Sequence, residues 1–88
     1  MAQLGADVEQ MDRLANKFNQ EAGTIDGLIR SISSQVSGTW WKGRDADNFR
    51  NQWNGTYTQQ LRRTAEMLRA TSNKVKKQAQ QQRATSGG

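Results

Sequence analysis

Leu4, Val8, Met11, Ala15, Phe18, Ala22, Ile25, Ile29, Ile32 and Val36 follow one another at intervals of 4-3-4-3-4-3-4-3-4. That is an unbroken heptad seam, and no strand can satisfy its period. Leu14 and Leu28 widen the stripe on one flank, while the other faces carry Gln, Asn, Asp, Glu, Lys and Arg. The spacing predicts a helix over about residues 3–37, roughly 50 Å long at ~1.5 Å per residue. Gly23 and Gly27 lie inside it, each costing about 1 kcal/mol against alanine. Close approach of another backbone, or room for a large ring on a neighbouring helix, is the expected reason for them.

The pattern breaks at Ser37-Gly38-Thr39-Trp40-Trp41-Lys42-Gly43, where glycines at both ends permit a tight reversal. A turn over about 38–44 is expected, with Asp45 as the N-cap of a second helix and Asp47 reinforcing its first turn. That helix is expected over about 45–82, with apolar positions at Ala46, Phe49, Trp53, Tyr57, Leu61, Ala65, Leu68, Val75 and Ala79 and a local weak point at Gly55. Phe49, Trp53 and Tyr57 are the expected aromatic packing residues. Residues 83–88 read as a flexible tail. The chain is therefore expected to be all-α: one antiparallel two-helix hairpin domain spanning residues 1–88.

Two helices cannot bury stripes this wide against each other alone. Only 33% of the residues are apolar, and there is no Cys, His or Pro, so disulfides and the commonest soft metal ligands are out of reach. Dimerisation of two hairpins into a four-helix bundle is the expected remedy. Val8, Met11, Phe18, Ile25, Ile29 and Ile32 are the expected dimer seam, with a copy of the chain or a different chain as the mate.

The charge is unevenly placed. Residues 1–43 carry four basic against five acidic side chains, and residues 44–88 carry nine against three. An acidic first half beside a basic second half suits an antiparallel pair. No segment has the ~18–20 continuous apolar residues of a membrane span, and stable membrane insertion is not expected. Met1 to Asp7 lack the basic region and apolar block of a general secretory signal. No His or Cys, phosphate-binding glycine loop or metal-sharing carboxylate cluster supports catalysis. The expectation is a protein that is not an enzyme and takes no cofactor, metal or small-molecule substrate.

Trp41-Lys42-Gly43 at the break, Phe49 eight residues later and Trp53 twelve later resemble the WXG family, the small early-secreted-antigen-like proteins of bacterial type VII (ESX-type) secretion. The likeness covers essentially the whole chain. It implies a hairpin exported as a folded homodimer or heterodimer, without a cleaved signal peptide, through a bacterial type VII membrane machinery. The implied partners are the chain itself or a paralogous WXG-family chain, together with the export ATPase. The implied roles are secreted effector, partner protein, or escort for a larger substrate. Trp40, Trp41 and Gly43 are the candidates for docking the ATPase, and Trp41 could equally pin the two helices together. The chain departs from the family at its C-terminal side, where no Tyr-x-x-x-Asp/Glu occurs. It reads as the signal-less member of a pair, or as one with a divergent signal around Val75 and Ala79.

The strongest reading from another class is a basic helical nucleic-acid-binding protein. With a pI near 10.3, Arg62, Arg63, Arg69, Lys74, Lys76, Lys77 and Arg83 would give a phosphate-facing stripe, of which Arg62, Arg69, Lys76 and Arg83 recur every seven residues and share one helical face. A solvated face has the same spacing, and no recognised reading motif accompanies it.

Overall fold

Asp7 starts the fold. It holds an extended backbone (φ −78°, ψ 107°), and its carboxylate accepts the N–H of Gln10 at 3.0 Å. Helix α1 then runs Val8–Gly38, with Glu9 complementing the dipole of its first turn. The computed structural model describes residues 5–87, and side-chain environments for residues 5–85. Leu4 of the expected seam lies outside the described residues. The helix expected from about residue 3 begins at Val8, because the Asp7 cap sets its start.

The reversal is shorter than expected, Thr39–Gly43, and helix α2 (Arg44–Gln52) follows it directly. Its N-cap is Gly43, with no side-chain cap hydrogen bond, so Asp45 is not the cap and sits instead in the first turn beside Asp47. The second helix is not uniform either. A π segment, Trp53–Tyr57, joins α2 to helix α3, Thr58–Gly87. The last helix passes the expected end near residue 82. Ala79 is buried, Gln82 half-buried, and the Arg83 guanidinium pairs with the Asp12 carboxylate, tying these turns to the start of α1.

The described residues are wholly helical apart from their ends and the turn, and they form a rod of 66 × 17 × 17 Å. Ser72 Oγ donates to the Ala15 carbonyl at 2.7 Å and Trp53 Nε1 to Ser33 Oγ at 2.9 Å, fixing the antiparallel register of the hairpin. The contact seam is made of small residues. Ala15, Ala22 and Ile29 from α1 meet the heptad-spaced Thr58, Ala65, Ser72 and Ala79 of α3, all buried. Side chains this short let helices approach near the lower end of the ~8–10 Å range.

Six of the nine described positions of the expected seam are therefore not fully buried by the hairpin. The residues four before Ala15, Ala22 and Ile29 are Met11, Phe18 and Ile25, and all three are only half-buried. Ile32 and Leu14 are exposed, Leu14 to 49%. Gly23 and Gly27 are also not packed as expected. A Cβ built on Gly23 would meet nothing within 4 Å, and one on Gly27 would meet only Arg30, at 4.0 Å.

The π segment carries the contact across a phase change. Ala46 and Trp53, both buried, are seven residues apart, and so are Thr58, Ala65, Ser72 and Ala79. From Trp53 to Thr58 the step is five, one more than an α-turn allows. An added residue turns the following helix by ~100°. Tyr57, four after Trp53, is thereby displaced from the contact and stands 39% exposed, while Thr58 is buried and donates its hydroxyl to the Asn54 carbonyl at 3.0 Å.

Candidate functional site

Two regions of this rod carry large apolar side chains that are not fully covered: one broad, half-buried face along its length, and the exposed turn at its tip.

The face follows from one positional rule that holds in both helices. Three residues before each buried position of the seam except Thr58, which follows the π segment, stands a polar or charged side chain: Asp12, Asn19 and Asp26 on α1, and Arg62, Arg69 and Lys76 on α3. Four residues before stands a large apolar one: Met11, Phe18 and Ile25 on α1, and Leu61, Leu68 and Val75 on α3. Steps of three and four put these sets on opposite flanks of the contact line. Because the helices are antiparallel, like flanks fall on the same side. One side is laced by Arg69 to Asp26 and Arg83 to Asp12. The other side is apolar and open.

The charged flank bears on the basic stripe seen in the sequence. Two of the seven cations of that stripe, Arg69 and Arg83, hold carboxylates of the same chain, and the Asp12 hydrogen bond pushes the Arg83 guanidinium above its ordinary pKa. Such partners satisfy cations that would otherwise face phosphate. Of the candidate signal residues, Ala79 is fully buried in the seam and Val75 is half-buried on the apolar flank. Of the candidate dimer seam, Ile29 is buried within the hairpin; Val8, Met11, Phe18 and Ile25 are half-buried and Ile32 is exposed.

At the tip, α1 ends without a basic residue in its last turn, leaving its final carbonyls without that complement. Thr39 Oγ1 returns to the Gln35 carbonyl at 2.6 Å. Gly43 then takes φ +122°, ψ 177°, a conformation that a side chain would strain, and its carbonyl receives the Asp47 N–H at 3.0 Å. This is the physical reason for glycine as the last residue of Trp41-Lys42-Gly43. The two tryptophans part company here. Trp40 is 85% exposed, whereas Trp41, 43% exposed, leans on Phe49 with ring centroids 5.9 Å apart and planes tilted by 43°. Phe49 packs on Trp41 at the surface, so Trp53 is the one buried ring of the three expected to pack.

Trp41 forms a wall shared by two clefts. One, of about 380 Å³, is lined by Thr39, Trp40, Lys42, Gly43, Asp47 and Arg50 besides Trp41. The other, of about 390 Å³, is apolar and lies between Ile32, Val36, Trp41 and Phe49, with Ser31, Gln35 and Thr39 at its rim. Arg50 was not singled out by the sequence pattern. Its Nη1 donates to the Trp41 carbonyl at 2.8 Å and its Nη2 to the Thr39 carbonyl at 3.0 Å. A signal for it existed: a helix end lacking its own cation, followed by an arginine in the last turn of the short helix after the reversal.

Among the described residues there is no group of three or more His, Cys, Asp or Glu able to hold a metal ion, and no helix long and apolar enough to cross a membrane. Comparisons with protein-family models, with curated proteins and with solved structures each find no match to this chain.

Proposed function

We propose that this chain is a WXG-like recognition hairpin of a bacterial type VII secretion system, acting as a substrate or partner protein and exported as a folded dimer. It pairs through its apolar face with a second hairpin, either its own copy or a paralogous chain, to form a four-helix bundle. The bundle presents its tryptophan turn to the export ATPase.

The open face is the observation that carries this reading. A compact chain of 9.9 kDa exposes about 5,200 Å², whereas the hairpin exposes 6745 Å². Its radius of gyration is 19.6 Å, against about 12 Å for a globular chain of this length. The excess area of about 1,500 Å² exceeds the ~800 Å² per partner that a standard stable interface takes. Apolar residues from both helices supply that face, and the opposite face is closed by charge. The turn adds a rigid glycine reversal, one outward ring and one ring set between two clefts, which suits display to a protein partner.

The test is export from a bacterial host carrying an intact type VII system. The tagged chain is expected in the medium when the export ATPase is present and to stay in the cells when it is deleted. Equal amounts in the medium with and without the ATPase contradict the proposal.

A further inference from the structure

Nothing in the backbone alone fixes how Trp41 sits. Between Thr39 and Gly43 the chain makes no helical hydrogen bond, and Trp41 touches the rest of the molecule through Phe49 and its neighbours in the apolar cleft. Among the described residues, Arg50 is the only side chain of α2 that hydrogen-bonds to the turn, and it takes the Thr39 and Trp41 carbonyls at once. Its own position is well determined. Arg50 is half-buried and stands one turn before Trp53, whose ring is buried and whose indole N–H is held by Ser33 of α1. Position therefore passes from the α1–α3 body through Trp53 and Arg50 to the Trp41 backbone.

We propose that Arg50 is the positioning residue of the tip: its guanidinium fork sets the Trp41 ring against Phe49 and so sets the shape of both clefts that ring divides. A planar fork meets the two carbonyls with two separate nitrogens in fixed geometry, whereas lysine has to reach both from one ammonium on a flexible stem. This rests on the reading of the tryptophan turn as a docking element and assigns the residue that organises it. Arg50 itself is a tether and needs no contact with the partner.

The experiment is performed on the full chain in its purified assembly, by following the indole N–H resonances of its three tryptophans and the contacts of Trp41 with the Phe49 ring. In Arg50→Ala the Trp41 resonance is expected to shift and broaden and its Phe49 contacts to weaken. Trp53, held by Ser33, and the overall helicity stay as they were. Arg50→Lys, which keeps the charge and loses the fork, is expected to fall between the two. Binding to the isolated ATPase domains of the export machinery is expected to drop at least fivefold for Arg50→Ala, with partial rescue by lysine. An unchanged Trp41 environment in Arg50→Ala, or a lysine variant indistinguishable from the parent, overturns the proposal. If Trp41→Ala leaves ATPase binding unchanged while Arg50→Ala still moves Trp41, the docking reading fails and the positioning role stands.

Discussion

The two broad faces of this hairpin are built from one heptad rule yet end in opposite states. On one, Asp12 and Asp26 of α1 meet Arg83 and Arg69 of α3, and the hairpin is complete in itself. On the other, Met11, Phe18, Ile25, Leu61, Leu68 and Val75 line up with only partial cover. The line between them is a seam of alanine, serine and threonine with one isoleucine, Ile29. Ile29 and Trp53 apart, the buried positions are small, and the large apolar side chains stand on the half-buried flank. Close helix approach requires short side chains at the crossing, whereas association with a second surface gains from area at ~25 cal/mol per Å². Side-chain size, more than hydrophobicity, sorts most of the internal seam from the half-covered apolar face.

The strongest way to break this contrast is a charge on the open face. Ile25→Asp is expected to cost about 3–5 kcal/mol of association by burying an unpaired carboxylate. Light scattering should report loss of the dimer, with helicity falling alongside. A dimer that survives Ile25→Asp would place the interface elsewhere. Next in size is overpacking of the closed seam. Ala22→Leu, at a position with no exposed surface, is expected to force α1 and α3 apart at a cost of about 1–3 kcal/mol, seen as a lower midpoint of thermal unfolding. Retention of full stability would mean the helices are not held at close range.

Ser72→Ala removes the side-chain hydrogen bond that crosses the seam from Ser72 Oγ to the Ala15 carbonyl. About 1 kcal/mol of destabilisation is expected in denaturant unfolding, since the carbonyl is also a helix acceptor. The smallest effect goes the other way. Gly23→Ala places a methyl where nothing stands within 4 Å and should stabilise the helix by about 0.5–1 kcal/mol. A destabilised Gly23→Ala dimer would reveal a close contact at Gly23 made by a second chain. The charged flank should respond to salt and hardly to alkaline pH. Asp12 raises the Arg83 pKa, so that contribution is lost only as pH climbs through the raised value, beyond the range in which the fold is ordinarily studied.

Much of this fold was legible in the sequence, because a sustained 4-3 spacing is the strongest local signal a chain can carry. The two long helices, the reversal at the tryptophans and the wide apolar stripe all follow from it. Three features were not legible for physical reasons. Successive steps of four at Phe49, Trp53, Tyr57 and Leu61 drift around a regular helix, and the chain absorbs that drift with a π segment that spacing alone does not announce. The N-cap of α2 falls on Gly43 because the reversal itself ends there, leaving Asp45 inside the first turn. The Arg50 tether joins residues nine and eleven apart across a turn, a distance over which periodicity carries no information. At the tip, the sequence marked the rings and the glycine; the tertiary fold decides that Trp40 stands free and Trp41 lies against Phe49.

The most direct test of the central claim is the mass of the purified chain in solution by light scattering, with helicity read on the same sample. If the apolar face pairs two hairpins, the chain is a helical dimer of twice 9.9 kDa, or a poorly helical, aggregating species that becomes a helical two-chain complex when a paralogous partner is added. A fully helical, non-associating monomer of 9.9 kDa with its large apolar residues in water would contradict it.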